Sequence, residues 1–375
     1  MKVLFPIIAF SLIMAYISER RSVYGIDKYG SIQYVFKDKF FWFLMAIGMA
    51  IFCGLRLKGN DTGLYRGMYM EIEPGAFNID WGAISGAPGL TFVQVVLRTI
   101  GASVQDYLMI ESIVVVVVYL WFIRKYTSNI WLSIFYFITT GVYTFAFAAI
   151  KQTLAIAFLL IATDRAINKK YIGFILWVLI AELFHPYAFI YLIIPFLFFE
   201  PWSTRTYAIL GGTVVVSMTL SGIVDSILVM TEAMGYQYAE ESFTGDGVNI
   251  FRVLVVWVPT ILSFLIRNNI KGNIGRSEQL IINASMINSV IMFIGLFGTA
   301  NYFARLANYF LIFQVLSLPL LFKFISISNR KILTGISVFL YAVYFYYATD
   351  IVYGDFGNIY QFMGFTDYLG QLFHW

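Results

Sequence analysis

The sequence predicts an all-α, polytopic integral membrane protein, a single transmembrane helical domain over residues 1–375, and three observations lead there. Hydrophobic residues make up 60% of the chain and charged ones only 12%, well outside the composition of soluble globular domains. Apolar runs near the ~20 residues needed to cross a bilayer recur from the first residue to about Ala348, which leaves no room for a soluble domain. Within those runs, stretches such as residues 113–120 are apolar at every position. The alternation of an outer-membrane barrel is missing, so helices do the spanning.

The spacing predicts helices over 2–18, 38–56, 105–123, 130–148, 151–168, 170–184, 186–199, 207–229, 250–268, 279–298, 303–324 and 331–348, twelve in all. The first has no small-residue cleavage site after it and is closed by Glu19-Arg20-Arg21, so it reads as a retained helix. The connections fix the orientation, because cytoplasmic loops carry the excess of Lys and Arg. With both ends outside, the basic connections 19–37, 124–129, 200–206, 269–278 and 325–330 all fall inside. Seventeen of the 25 Lys and Arg then lie on the inner side, and fifteen of the 21 Asp and Glu on the outer. The loops 57–104 and 231–249 and the tail 349–375 come out external.

The apolar run 171–199 tests this scheme. As one helix it would be about 43 Å long at ~1.5 Å per residue, too long for a ~30 Å core without strong tilt. It would also move the basic loops 269–278 and 325–330 outside. Two half-length helices broken at His185-Pro186 keep the parity and put His185 at the outer side. Pro186 suits the first turn of the second piece, where a missing N–H is harmless. Half-helices of this kind are tolerated only where protein or a water-filled cavity surrounds the break.

With that topology Arg56, Lys58, Asp61, Arg66, Lys151, His185, Arg252 and Arg305 gather at the external boundary. Taken singly they read as interface residues: Arg56 snorkels at the end of a span, and Asp61-Thr62 followed by Tyr65 reads as the cap and first turn of a short surface helix. Three of the cations nevertheless defy the orientation rule. Arg56 and Arg305 sit on the outer side, and Lys151 opens a helix whose N-terminal dipole disfavours it. An anion held among them is the common explanation, and diphosphate matches guanidinium forks. His185, with Glu182 three residues earlier on the same helix face, adds a group able to take a proton near neutral pH; the plain alternative is a histidine bonded to backbone at a helix break.

Other chemistries lack their residues. The one cysteine, Cys53, excludes an internal disulfide and a cysteine metal cluster. There is no P-loop, GxGxxG, H-E-x-x-H or D-x-D; Glu71-x-Glu73 is the nearest approach to the last. No metal and no cofactor are expected.

Several short motifs, in this order, carry a family likeness: Arg56 closing the second helix, Gly59-Asn60-Asp61-Thr62 with Tyr65, Lys151-Gln152, "FHPYAF" at 184–189 and "ARLANYF" at 304–310. The chain resembles the EpsG-type, Wzy-like polymerases of bacterial exopolysaccharide, capsule and O-antigen synthesis. One position departs from the pattern: the family often has Arg before the Gln, and Lys151 keeps the charge without the fork. The resemblance implies a multi-pass enzyme of the bacterial cytoplasmic (inner) membrane, its active site facing outward. It would move a growing glycan from undecaprenyl diphosphate onto a lipid-linked oligosaccharide repeat unit. Its implied partners are the undecaprenyl-diphosphate-linked oligosaccharide and the bilayer, with a chain-length regulator and a flippase beside it and no nucleic acid.

On this reading Arg56 and Arg305, supported by Lys151, hold the donor diphosphate, and His185 with Glu182 removes a proton from the acceptor hydroxyl. Asp61, Tyr65 and Arg252 contact substrate. Trp81, Tyr236 and Tyr238 offer aromatic faces to acceptor sugars, and Glu240, Glu241 and Asp246 offer hydrogen-bond acceptors. An O-antigen ligase uses nearly the same parts. A transporter of lipid-linked sugars is the reading from another class, but it calls for charges near the midplane and paired repeats, and neither is evident.

Overall fold

A computed structural model describes residues 2–26, 32–75, 77, 87–219, 247–298, 300–352, 354 and 356–373. The chain is mostly helical and divides into two compact units, one of residues 1–189 with 337–375 and one of residues 190–336. Among the described residues, three helices are long and apolar enough to cross a membrane: Val104–Tyr126, Arg276–Ile294 and Ile327–Val352. A fourth span is formed if the bent pair Tyr302–Asn308 and Leu311–Phe322 counts as one. Shorter apolar helices occur at Phe40–Gly54, Ile130–Thr139, Tyr171–Glu182, Pro186–Leu197 and Ile250–Leu265.

In the first unit the chain runs through α1 (Phe5–Arg21), a ribbon of β1 (Val23–Ile26) and β2 (Ile32–Phe36), α2 (Phe40–Gly54), β3 (Arg56–Lys58), α3 (Thr62–Glu71), α4 (Pro88–Thr99) and α5 (Val104–Tyr126). Next come α6 (Ile130–Thr139), the single turn α7 (Val142–Phe145), α8 (Ile150–Ile167) and α9 (Tyr171–Glu182). Helix α2 packs between α1 and α5, and α8 between α5 and α9. The ends of α5 show why this sequence starts and stops where it does. Ser103 and Asp106 close a reciprocal capping box, which satisfies two otherwise unpaired donors. At the other end the Lys37 ammonium donates to the carbonyls of Arg124, Lys125 and Thr127, a cation placed at the negative pole of the helix. Burial, with Arg124 beside it, pushes the Lys37 pKa down to about 8. Glu19 does the converse for α6, accepting from the backbone N–H groups of Ile130 and Trp131.

The predicted helix 130–148 stops instead at Thr139. Gly141 adopts φ +87°, a conformation that ends helices and suits glycine. The Thr139 and Thr140 hydroxyls donate back to the carbonyls of Phe135 and Tyr136. The backbone from 140 to 149 is therefore irregular, but it is lined by protein: Tyr143 is buried and donates to the Met49 carbonyl.

In the run 171–199, α9 ends at Glu182 and Pro186 opens a 3₁₀ helix, Pro186–Leu197. The second half-helix is thus wound more tightly than the α-helix expected there, and it rises faster per residue.

The second unit contains α10 (Thr204–Met218), α11 (Ile250–Leu265), α12 (Arg276–Ile294), α13 (Ala300–Asn308) and α14 (Leu311–Phe322). Helix α12 packs against α10, α11 and α14, and every residue from Leu280 to Met292 is buried. The predicted span 303–324 is bent by 53° between α13 and α14. A break in a helix frees carbonyl groups, and buried side chains answer for them. Asn288 donates to the Ala307 carbonyl and Tyr191 to that of Tyr309. Gln314 links Asn288 to the Val256 carbonyl of α11, which also accepts from Ser289. The helix α15 (Ile327–Tyr346) follows; from Ser337 onward it belongs to the first unit, where Ser337 hydrogen-bonds to Tyr136 of α6.

Candidate functional site

The turn after α2 is built around Arg56, whose side chain is fully buried. Its guanidinium donates to Glu111 Oε2 at 2.6 Å, to Ser112 Oγ at 2.6 Å and to the Cys53 carbonyl at 2.8 Å. Its partner Glu111, the one acid in the middle of α5, escaped the sequence reading. The available signal was that an ionisable residue inside an apolar span needs a partner. Gln105 braces the same turn, donating to the Gly54 carbonyl and accepting from Arg66. Tyr107, one turn before Glu111, stacks on Tyr69 of α3 with ring centroids 4.8 Å apart. Among the described residues, Arg56 Nε, Glu111 Oε1, the Tyr107 hydroxyl and the Gln94 amide are buried without completing a hydrogen bond. A polar cluster left incomplete in this way is costly, and such clusters gather where proteins act.

Asp61 occupies the N-cap position of α3, yet its carboxylate makes no capping bond. It is exposed and lies within electrostatic reach of Lys151, the half-buried second residue of α8. Thr62, fully buried, donates to the Phe147 carbonyl in the irregular stretch before α8. That bond draws the Asp61 turn and Lys151 together. Tyr65 faces inward from α3 and is 5% exposed.

The chain's last segment completes this corner. Strand β4 (Gln361–Phe362) pairs antiparallel with β3, and Met363 donates to the Leu55 carbonyl. Phe362 stacks on Phe52, Phe356 and Tyr360 meet Phe147 edge-on, and Asn60 donates to the Tyr360 hydroxyl at 2.8 Å. Tyr368 ties the final helix to Asp106. Residues 356–373, expected only as part of an external tail, are a wall of the site.

Gly59 makes that closure sterically feasible. Its φ is +134°, and a β carbon there would lie 1.9 Å from Tyr360 Cδ1. Gly59→Ala is expected to destabilise the protein by about 2–5 kcal/mol, from backbone strain and overpacking together. A thermal melt of the purified protein checks it, and Tyr360→Ala added to Gly59→Ala should recover only the steric part.

His185 lies in the same unit, at the break after α9. It is half-buried, its backbone N–H donates to the Ala181 carbonyl, and its ring meets Tyr187 edge-on at 5.2 Å. Gly89 of α4 donates to the Leu183 carbonyl and Phe184 packs on Phe158 of α8, so the break is held by protein on both sides. Glu182, the last residue of α9, is half-buried.

Arg252 and Arg305 belong to the second unit. Arg252 on α11 donates to Asn308 Oδ1 at 3.0 Å, at the end of α13, and Arg305 is exposed on α13 itself. Both thus flank the bend between α13 and α14. Trp81, Tyr236, Tyr238, Glu240, Glu241 and Asp246 lie outside the described residues.

The model of the EpsG family matches residues 39–362 of the chain. No curated protein and no solved structure matches it.

Proposed function

The chain belongs to the EpsG family, and from that premise we propose that it is a polysaccharide polymerase of the bacterial cytoplasmic membrane. It transfers a growing glycan from undecaprenyl diphosphate onto a sugar hydroxyl of a lipid-linked repeat unit, without a metal, at the outer face. About twelve crossings, counting the two short pieces around His185, carry this topology, and the uneven split of charges supports it.

The observation that carries the reading is the corner where the Arg56–Asp61 turn meets Lys151, because the family match spans it. Lys151 and Arg305 contact the donor diphosphate, whose departure they stabilise electrostatically. Arg56 joins them only when its pair with Glu111 opens; otherwise it holds the turn that presents Asp61. His185 accepts the proton of the attacking hydroxyl, with Glu182 nearby to restore the charge balance. Asp61, Tyr65 and Arg252 contact the sugars.

Deleting the gene in its host and sizing the lipid-linked glycan tests the reaction. A polymerase leaves single repeat units on the lipid. Long unattached chains would instead identify a ligase, and loss of repeat units from the outer face a transporter.

A further inference from the structure

A groove of about 580 Å³ runs along the first unit between α2 and α5, far along both helices from the Arg56 corner. Its volume lies within the ~300–1,000 Å³ of ligand pockets. The walls are apolar: Phe43 and Ile47 from α2, Val117 and Trp121 from α5. All four side chains are exposed, Phe43 by 62%, so the groove opens outward along its length. Its polar lining comes from one end only. There Lys39, at the N-cap of α2, meets Arg124, in the last turn of α5.

The charges around that end are unbalanced. Lys39 is exposed. Arg124 spends Nη2 and Nε on the carbonyls of Lys37 and Asp38 and keeps its full charge. Arg21 stands nearby, its Nε 3.5 Å from Asp38. Two acids face this end: Asp38, 5% exposed, which pairs with Arg21 and accepts from the Phe41 N–H, and Glu19, which is taken up by Tyr34 and the Ile130 N–H. Lys125 is neutralised by Asp164, and Lys37 faces the carbonyls at the end of α5. An apolar trough that ends in a net positive cluster, with Lys39 exposed at its mouth, complements an amphiphile with an anionic head. Free phosphate has no use for the trough, and a neutral lipid has none for the cations.

We propose that this groove binds one anionic phospholipid, an acyl chain along Phe43, Ile47, Val117 and Trp121 and the headgroup phosphate between Lys39 and Arg124. The same end carries the basic connections 19–37 and 124–129, so the lipid comes from the inner leaflet. Basic pockets between helices on the cytoplasmic side recognise headgroups in this way. The site does not depend on the polymerase reading, because it lies toward the opposite ends of α2 and α5 from Arg56 and Glu111.

The test uses the full-length protein in detergent, offered an equimolar mixture of phosphatidylglycerol and phosphatidylcholine with identical chains, with bound lipid counted by native mass spectrometry. Phosphatidylglycerol is expected to be retained preferentially, by about fivefold for each cation facing it, the equivalent of about 1 kcal/mol per cation. Lys39→Gln should lower that preference about fivefold and leave the melting midpoint unchanged. Val117→Trp, at an exposed position, fills the trough without touching a charge and should abolish retention of the lipid. High salt should erode the preference in the wild type. Equal retention of the two lipids by the wild type would overturn the proposal, as would an unchanged preference in Lys39→Gln or unchanged retention in Val117→Trp.

Discussion

Glu111→Ala should cost the folded protein about 3–5 kcal/mol, because it leaves the buried Arg56 guanidinium without its counter-ion. The desolvation of both groups is offset in the native state by a 2.6 Å charge-assisted bond and by the Ser112 hydroxyl and Cys53 carbonyl. Removing one partner keeps the cost and loses the compensation. Removing both is different: Arg56→Met with Glu111→Leu discards two desolvation penalties at once and should recover most of the stability. Activity should separate the variants further. The double variant folds, yet it should synthesise little polymer if Arg56 also reaches the diphosphate. Melting midpoints of the three purified proteins decide the structural claim, and a single variant as stable as wild type would refute it.

His185→Ala carries the largest expected effect on rate. The protein should insert normally and bind a lipid-diphosphate donor, yet transfer chains about 10²- to 10⁴-fold more slowly, the share a general base supplies. Insertion is preserved because the backbone of the break is held independently of the imidazole: by the bond from its own N–H to Ala181, by Gly89 on Leu183 and by Phe184 on Phe158. The acid limb of the pH–rate profile should vanish once the proton acceptor is gone. Glu182→Gln should do less damage, since it leaves the imidazole in place. Normal polymer synthesis by His185→Ala would leave the histidine as a structural residue of the break.

The features legible in the sequence are those with a local or a charge signature. The break at His185-Pro186 could be read because an unbroken helix would have reversed the sign of every later loop. The short helix after Asp61 could be read from its first turn. Where the cause is tertiary, the sequence is silent. The bend between α13 and α14 contains neither Pro nor Gly and sits in an apolar run; it exists because Asn288 and Tyr191 supply donors from elsewhere. The break at Gly141 had a visible glycine, but isolated glycines also occur inside membrane helices. Arg56 was recognised as a misplaced cation and read as facing substrate, whereas its fork is occupied by Glu111, 55 residues away. Such a pairing has no periodicity to betray it.

The pairing of β3 with β4 also sets a clock. Asn60 and Tyr360 are 300 residues apart, and ribosomes add roughly 5–20 residues per second. About 15–60 s therefore pass between synthesis of the Gly59 turn and arrival of the segment that covers it. Through that interval the intervening helices enter the membrane while the polar corner at Arg56 lacks the segment that covers it. The corner is therefore covered late, only after the segment with Tyr360 has been made. A nascent chain stalled before Phe356 would hold nearly all of its apolar helices in the bilayer and still lack a closed site.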